Sequence, residues 1–315
     1  MRVVAHVPNY PPLSRVGAWV ATHAFLADLA HHGHHVDVFT TYGRGPSYVL
    51  DDVNVGPGTN PVALETAIAL ADVVVTHAGG IDAGPTLAHR WHKPHVVMAH
   101  GRIADPTVLA GANLVVFNSA NLAASSNHPG PSVVCHPPVI AARYATTPGQ
   151  HVTLVNLSEP KGGELFWRLA RCSTRRFLAV KGGYGIQYLD ELANVETIAN
   201  TPNMRDDVYA RTRILLMPSE AETWGMTAIE AAASGIPTIA HPTAGLIESL
   251  GDAGVFVDRA NGAGWLTEIE RLHDPTEWAV ASAATLARSA ALNPTGDLDR
   301  FRHRIEQMGE SQCVS

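Results

Sequence analysis

A doubly wound α/β fold in two successive domains is predicted by three features of the sequence. Short apolar runs alternate with helical stretches, several of those runs are apolar throughout, and the texture breaks at prolines near the middle of the chain. At 315 residues the chain is long for one domain and comfortable for two of about 150 each.

In the first half, strand patterns fall at Arg2 to Val7, Val36 to Phe39, Asp72 to Thr76, His95 to Ala99, Leu114 to Phe117 and Ser132 to Cys135. Val73-Val74-Val75 is apolar without alternation, which fits a parallel strand buried on both faces. The clearest helix runs from Val16 to His32, with Val16, Trp19, Val20, Ala24, Ala27 and Ala30 at helical spacing. His31-His32-Gly33-His34-His35 closes it, and polar or cationic residues are favourable at a helix C-terminus, so this run reads as a helix end and not as a metal site. His92 and His95 read as surface residues.

Prolines and glycine without periodicity, at His136-Pro137-Pro138 and Thr146-Thr147-Pro148-Gly149, read as a linker. The predicted division is therefore 1–140, a linker at 141–150, a second domain at 151–290, and a tail helix at 291–315. After the linker come a strand from His151 to Leu157, a helix from Gly163 to Arg171, and strands from Arg176 to Val180 and Val195 to Ile198. A helix from Arg205 to Ala210, a strand from Ile214 to Met217, a helix from Thr227 to Ser234 and a strand from Ile236 to Ala240 follow, and Trp265 to about Met308 is mostly helical. Ligands of open parallel sheets bind at the carboxyl ends of strands, so the chemistry is expected in a cleft between the two sheets.

Bulk properties exclude several classes. The chain is 46% hydrophobic and 16% charged with a mean hydropathy of +0.02, and has no apolar stretch long enough to cross a bilayer. Val3-Val4-Ala5 is broken by His6 and Pro8, so it reads as a first strand and not a signal peptide, and a cytoplasmic location is expected. Cys135, Cys172 and Cys313 are an odd number far apart, which argues against a disulfide framework; Cys135 and Cys172 read as buried small hydrophobes. A formal charge of -7 argues against nonspecific nucleic-acid binding. Lys181-Gly182-Gly183-Tyr184-Gly185 is too irregular for a dinucleotide fingerprint, which disfavours a dehydrogenase.

The segment from Ile214 to Ala240 carries the strongest chemical signal. Glu222 lies on the loop before a helix, Trp224-Gly225 follow it, and Glu230 is expected two turns inside, about 10 Å along the axis. Free amides at a helix entrance suit a phosphate, and carboxylates accept hydrogen bonds from sugar hydroxyls, so the layout suits a nucleotide diphosphate sugar. Upstream, Ser158-Glu159-Pro160-Lys161-Gly162-Gly163 sets Lys161 at the mouth of a helix, where a charged hydrogen bond to an anion is worth about 1.5–3 kcal/mol. Asp297-Leu298-Asp299, the only Asp-x-Asp, lies in the helical tail, away from any strand end, and is a poor metal site.

Pro218-Ser219-Glu220-Ala221-Glu222-Thr223-Trp224-Gly225 leading to Glu230-Ala231-Ala232-Ala233-Ser234-Gly235-Ile236-Pro237 resembles the donor-site signature of retaining glycosyltransferases of the group 1 (family 4) type. The resemblance implies a GT-B fold, two Rossmann-like domains facing a cleft, with the last helix returning to the first domain. It implies transfer of a sugar, with retention, from a nucleotide diphosphate sugar co-substrate to an acceptor hydroxyl, with no cofactor and no metal. The acceptor could be a glycan, a lipid, a protein or a modified nucleic acid. Donor binding is implied for Gly17, Asn156, Lys161, Thr223, Trp224, Gly225, Met226 and Glu230, with Lys161 on the diphosphate and Glu230 on the ribose hydroxyls. The catalytic positions are then His100, which touches the donor sugar near the reacting carbon, and Glu222, which positions that sugar; His77 lines the acceptor side. Lys181 to Gly185 and Met204 to Tyr209, with Met204 and Val208 as wall residues, fall near the base. Two positions depart from the pattern: Asn156 stands where an arginine is usual, which weakens charge compensation at the phosphates, and Ala18 stands where a second glycine is common. An epimerase or hydrolase of the same fold, or a nucleotide-sugar-binding protein without turnover, are the alternatives.

Overall fold

The computed structural model describes residues 1–79 and 83–310. Its chain divides into two units, one spanning Val139–Asn293 and the other formed by the remainder on either side.

In the first unit the strands are β1 (Arg2–Val7), β2 (His35–Thr40), β3 (Tyr48–Leu50), β4 (Val53–Pro57), β5 (Val73–His77), β6 (His95–Ala99), β7 (Leu114–Phe117) and β8 (Ser132–Val134). They form one sheet in the order β3-β4-β2-β1-β5-β6-β7-β8, parallel except where β3 meets β4. Helices α1 (Gly17–His31), α2 (Pro61–Ala69), α3 (Gly84–Arg90) and α4 (Ala120–Ser126) make the connections. Val3, Val4, Val73, Val74, Val75 and Val96 are fully enclosed, because crossover helices cover both faces of a parallel sheet. The last helix, Thr295–Glu310, belongs to this unit: Phe301 and Ile305 enter the same core as Phe25, whose ring centroid lies 4.7 Å from that of Phe301. Arg302 pairs with Asp28 at 2.5 Å, and Asp297 accepts from His136 at 3.2 Å and pairs with Arg300.

The second unit is a six-stranded parallel sheet in the order β11-β10-β9-β12-β13-β14. Its strands are β9 (His151–Val155), β10 (Phe177–Val180), β11 (Val195–Ile198), β12 (Thr212–Met217), β13 (Thr238–Ala240) and β14 (Val255–Phe256). Between and after them run α5 (Gly163–Arg171), α6 (Met204–Asp207), α7 (Met226–Ala232), α8 (Ala244–Leu250), α9 (Gly262–Arg271) and α10 (Pro275–Ala291). Phe166 and Trp265 fill the core on one face of the sheet, and Tyr209, Trp224 and Leu246 that on the other. Thr153 and Thr212, both buried, share a 2.8 Å hydroxyl hydrogen bond that ties β9 to β12.

Several sequence expectations change. Tyr48–Pro57, left without structure by the periodicity, is an antiparallel hairpin turned by Asp51 and Asp52, whose φ values of 46° and 62° are those that two-residue hairpin turns demand. The stretch 141–150 is held by the second unit: Tyr144 O accepts from Ser234 Oγ at 3.1 Å, Thr146 N donates to that Oγ at 3.0 Å, and Gly149 N donates to Thr212 O at 3.0 Å. His95 is buried, not on the surface, because β6 is flanked by β5 and β7; its Nε2 meets Thr76 Oγ1 at 2.8 Å, and burial lowers its pKa to about 4. Cys135 is buried as expected but Cys172, just past α5, is exposed, and Cys313 lies outside the described residues. No helix among the described residues is long and apolar enough to cross a membrane.

Phe301 is fully buried on a helix that packs against Phe25 and is tied to the unit by the Asp28–Arg302, His34–Glu306 and His136–Asp297 pairs. Phe301→Ala should therefore destabilise the first unit by about 3–5 kcal/mol, read as a lower urea midpoint for that unit.

Candidate functional site

In the second unit, chain order reverses at β9: the chain moves outward to β10 and β11, then returns to the other side of β9 as β12. The loops leaving the carboxyl ends of β9 and β12 therefore diverge, and crevices at such switch points hold ligands in open α/β sheets. Asn156 and Lys161 follow β9, and Glu222 follows β12.

These loops are bound to each other. Lys161 Nζ donates to Glu222 Oε1, which also accepts from Ser219 Oγ at 2.9 Å. Glu220 N donates to Pro160 O at 2.9 Å, and Arg259 spans both loops, reaching Glu159 Oε1 at 2.8 Å and Glu220 Oε1 at 2.6 Å. Gly162, in the left-handed region at φ 87°, lets the chain turn into α5; a Cβ there would come within 2.4 Å of Pro218. Burial pulls the Lys161 pKa down, but Glu222 and the Tyr184 hydroxyl outweigh it, so the ammonium stays charged.

Gly225, left-handed at φ 86°, precedes α7. That helix begins at Met226, so Glu230 lies one turn inside, about 6 Å from its start, and not two turns. Glu230 is 9% exposed and accepts a 2.6 Å hydrogen bond from Tyr209 Oη. Burial raises its pKa to about 7, against the opposing hydrogen bonds from Tyr209 and Tyr144. Burial also pushes the Tyr209 phenol well up, so Tyr209 remains a donor. Trp224 packs in the core beside Leu246 and anchors the loop, while Thr223 and Met226 are half-buried.

Asn156 is buried with φ 70°, a conformation asparagine tolerates better than most residues. Its Oδ1 accepts from Ser158 N at 3.1 Å and Gln187 Nε2 at 3.0 Å, while its Nδ2 is buried with no partner.

The first unit brings His77 and His100 together at the carboxyl ends of adjacent strands β5 and β6. Their rings stack at 5.3 Å and 4°, with Trp19 of α1 4.7 Å from His77. Burial lowers the pKa of His77 to about 4; burial and then His77 lower that of His100 to about 3. Gly79 N donates to His77 Nδ1 at 3.0 Å, so the proton of this neutral ring sits on Nε2. Gly17 is the first residue of α1, in the same unit.

Sequence reading missed Tyr209, Gln187 and Arg259. Tyr209 ends the Met204–Tyr209 segment, where Met204 and Val208 drew attention; Val208 is fully buried in the core instead. Nothing local in the sequence marks Gln187 or Arg259, which act on loops about 30 and 100 residues away.

Two measurements follow. Because the Glu230 pKa is higher folded than unfolded, the folded state holds the extra proton: this stability is complete below about pH 4.5 and is lost as pH rises towards about 7. Glu230→Gln should flatten urea stability of the second unit across that window and exceed wild type at pH 8 by up to about 3 kcal/mol. In NMR titrations, the His77 and His100 ring resonances should not move between about pH 5 and pH 9.

Comparison with known proteins agrees with this architecture. Residues 169–274 match the family described as glycosyl transferases group 1. The chain is 34% identical over 133 residues to a D-inositol 3-phosphate glycosyltransferase of Rhodococcus jostii, covering 38% of this chain and 29% of that protein. It is 29% identical over 110 residues to the Arthrobacter protein of the same name, covering 34% of this chain and 25% of that one. It thus spans about a quarter to a third of the length of the curated relatives it matches. Among solved structures, Anabaena HepE in complex with UDP-glucose superposes with a TM-score of 0.79 at 14% identity, covering 99% of this chain and 100% of that one. Sucrose-phosphate synthase of Thermosynechococcus elongatus does so at 0.74 and 15%, covering 100% of both. Residues 169–274 thus resemble the group 1 glycosyltransferases, and the α/β fold of two parallel-sheet units is the GT-B fold.

Proposed function

We propose that this chain transfers a sugar from a nucleotide diphosphate sugar to an acceptor hydroxyl, with retention at the anomeric carbon and without a metal. The observation that carries the proposal is the set of Lys161, Glu222 and Glu230 at the β9/β12 switch point, within or beside the segment that matches the family. In this reading the diphosphate draws Lys161 away from Glu222, and sugar hydroxyls donate to the carboxylate so released. Glu230, with Tyr209 against it, accepts from the ribose hydroxyls.

The anomeric carbon–oxygen bond breaks with its electron pair going to the diphosphate, whose charge Lys161 and the Asn156 amide meet. The acceptor oxygen attacks from the same face, and its proton passes to the departing phosphate oxygen. Glu222 positions the donor and need not act as a nucleophile. His100, neutral at working pH, contributes hydrogen bonding and shape near the reacting carbon, and His77 borders the acceptor. UDP-sugars are the first donors to try, since HepE, which shares the fold, is described in complex with UDP-glucose. Free thiols at Cys135 and Cys172 agree with a reducing, cytoplasmic setting.

Thermal stabilisation by UDP, GDP, ADP and TDP sugars, beside Glu230→Ala and Glu222→Ala, tests the reading. One nucleotide class should stabilise by about 2.7 kcal/mol at a hundredfold excess over Kd. Glu230→Ala should lose the shift, and Glu222→Ala should lose only the advantage of the sugar nucleotide over the bare diphosphate. No shift with any donor, or donor binding that survives Glu230→Ala, would overturn it. Binding without transfer to any acceptor would favour a donor-binding protein without turnover, the alternative that Asn156 suggests.

A further inference from the structure

Two backbone amides dictate which way the side chain of Gln187 faces. Leu157 N and Gly182 N both donate to its Oε1, at 2.9 and 2.7 Å. Backbone N–H groups cannot become acceptors, so the carboxamide cannot turn over without setting both of them against an NH2 group. Gln187 Nε2 must then face the other way, and it donates to Asn156 Oδ1 at 3.0 Å and to Tyr184 O at 2.9 Å.

Asn156 Oδ1 accepts a second bond from Ser158 N at 3.1 Å, another backbone donor that cannot reverse. The sense of the Asn156 amide is thus set from two sides, and its Nδ2 is turned away from both. That nitrogen is buried without a partner on a residue only 6% exposed, and unmet buried donors are rare and costly. Gly182 closes on the same amide: a Cβ there would lie 2.3 Å from Asn156 Cγ, so only a bare backbone fits beside it.

We propose that Gln187 is a positioning residue of the donor site: it holds Asn156 so that the NH2 group, an uncharged donor, meets an anionic oxygen of the nucleoside diphosphate. This rests on the donor binding proposed above. Polarity runs from the Leu157 and Gly182 amides through Gln187 to Asn156, and the ligand oxygen supplies the acceptor at its end.

Calorimetric titration of the full chain with UDP, or with whichever diphosphate the donor panel selects, and with inorganic pyrophosphate tests this. Asn156→Asp keeps an oxygen for Gln187 and Ser158 and turns a second oxygen towards the ligand. Gln187→Glu keeps the acceptor for Leu157 and Gly182 but sets an oxygen against Asn156 Oδ1, which favours the reversed amide. Each should weaken binding at least about tenfold, with ligand-free unfolding midpoints near wild type. In an Asn156→Ala background, Gln187→Glu should add no more than about threefold, because the two act in series.

Wild-type affinity in Asn156→Asp would overturn the inference. So would a Gln187→Glu loss that persists in full beside Asn156→Ala, since its charge would then act on the ligand directly. If Gln187→Glu does not fold, Asn156→Asp decides alone, because its contacts to Gln187 and Ser158 are intact. A wild-type chain that binds no nucleoside diphosphate removes the donor reading and this inference together; wild-type binding that Asn156→Asp shares removes only the inference.

Discussion

The ion pair between Lys161 and Glu222 ties the loops after β9 and β12 to each other, and it exists because of what a parallel sheet does to its loops. Strands β9 and β12 are neighbours, so the acidic side chains Glu159, Glu220 and Glu222 reach one edge of the sheet. Like charges gathered there repel unless cations stand between them. Lys161 and Arg259 fill that role, Arg259 by touching both loops and Lys161 by reaching across from one to the other. Three carboxylates against two cations leave the edge short of positive charge. An anionic ligand therefore competes with Glu222 for Lys161, and a ligand that also brings hydroxyl donors compensates the carboxylate it displaces.

Glu230 shows a different solution to the same difficulty. It has no cation; burial raises its pKa and two tyrosines supply hydrogen bonds. Tyr209 keeps its proton under these conditions, so it donates to Glu230 on either side of the carboxyl group's titration. In the first unit, the stacked His77 and His100 rings are likewise kept neutral by burial. Across the candidate residues, then, full charge sits on the half-buried, mutually paired Lys161 and Glu222, and the histidines work by hydrogen bonding.

Legibility in the sequence followed the range of the forces involved. Apolar runs such as Val73-Val74-Val75 located most strands, because burial on both faces leaves a composition that any window detects. The β3–β4 hairpin escaped because its strands are short and lie at the sheet edge, although Asp51-Asp52 between two apolar stretches is a turn signal of the expected kind. Glu222, Glu230 and Lys161 were singled out by the resemblance of their segments to the glycosyltransferase signature, not by spacing, which set Glu230 a turn too deep in its helix. Tyr209 and Arg259 were not, since each is set by a tertiary contact that no local pattern encodes. His95 illustrates the limit from the other side: its polarity suggests a surface, but its strand is covered by both neighbours and it is paired with Thr76.

In the proposed donor site, an amide at position 156, where the family pattern implies an arginine, would alter how specificity is built, beyond lowering charge. A guanidinium presents donors on every edge and its charge whichever way it turns, whereas a carboxamide is useful only if its two ends cannot exchange. An asparagine in this place therefore needs a second residue to set its sense, and that residue needs a reference that cannot itself reverse. Backbone groups are such a reference, and the Leu157 and Gly182 N–H groups, with the Tyr184 and Gly185 carbonyls opposite them, supply it through one glutamine. The close packing of Gly182 against the amide has the same origin: a donor aimed by two hydrogen bonds to its oxygen tolerates no side chain that would displace it. In the proposed site, geometry at Asn156 would thereby take over part of what charge does at Lys161, so that one loop contributes by two unlike means.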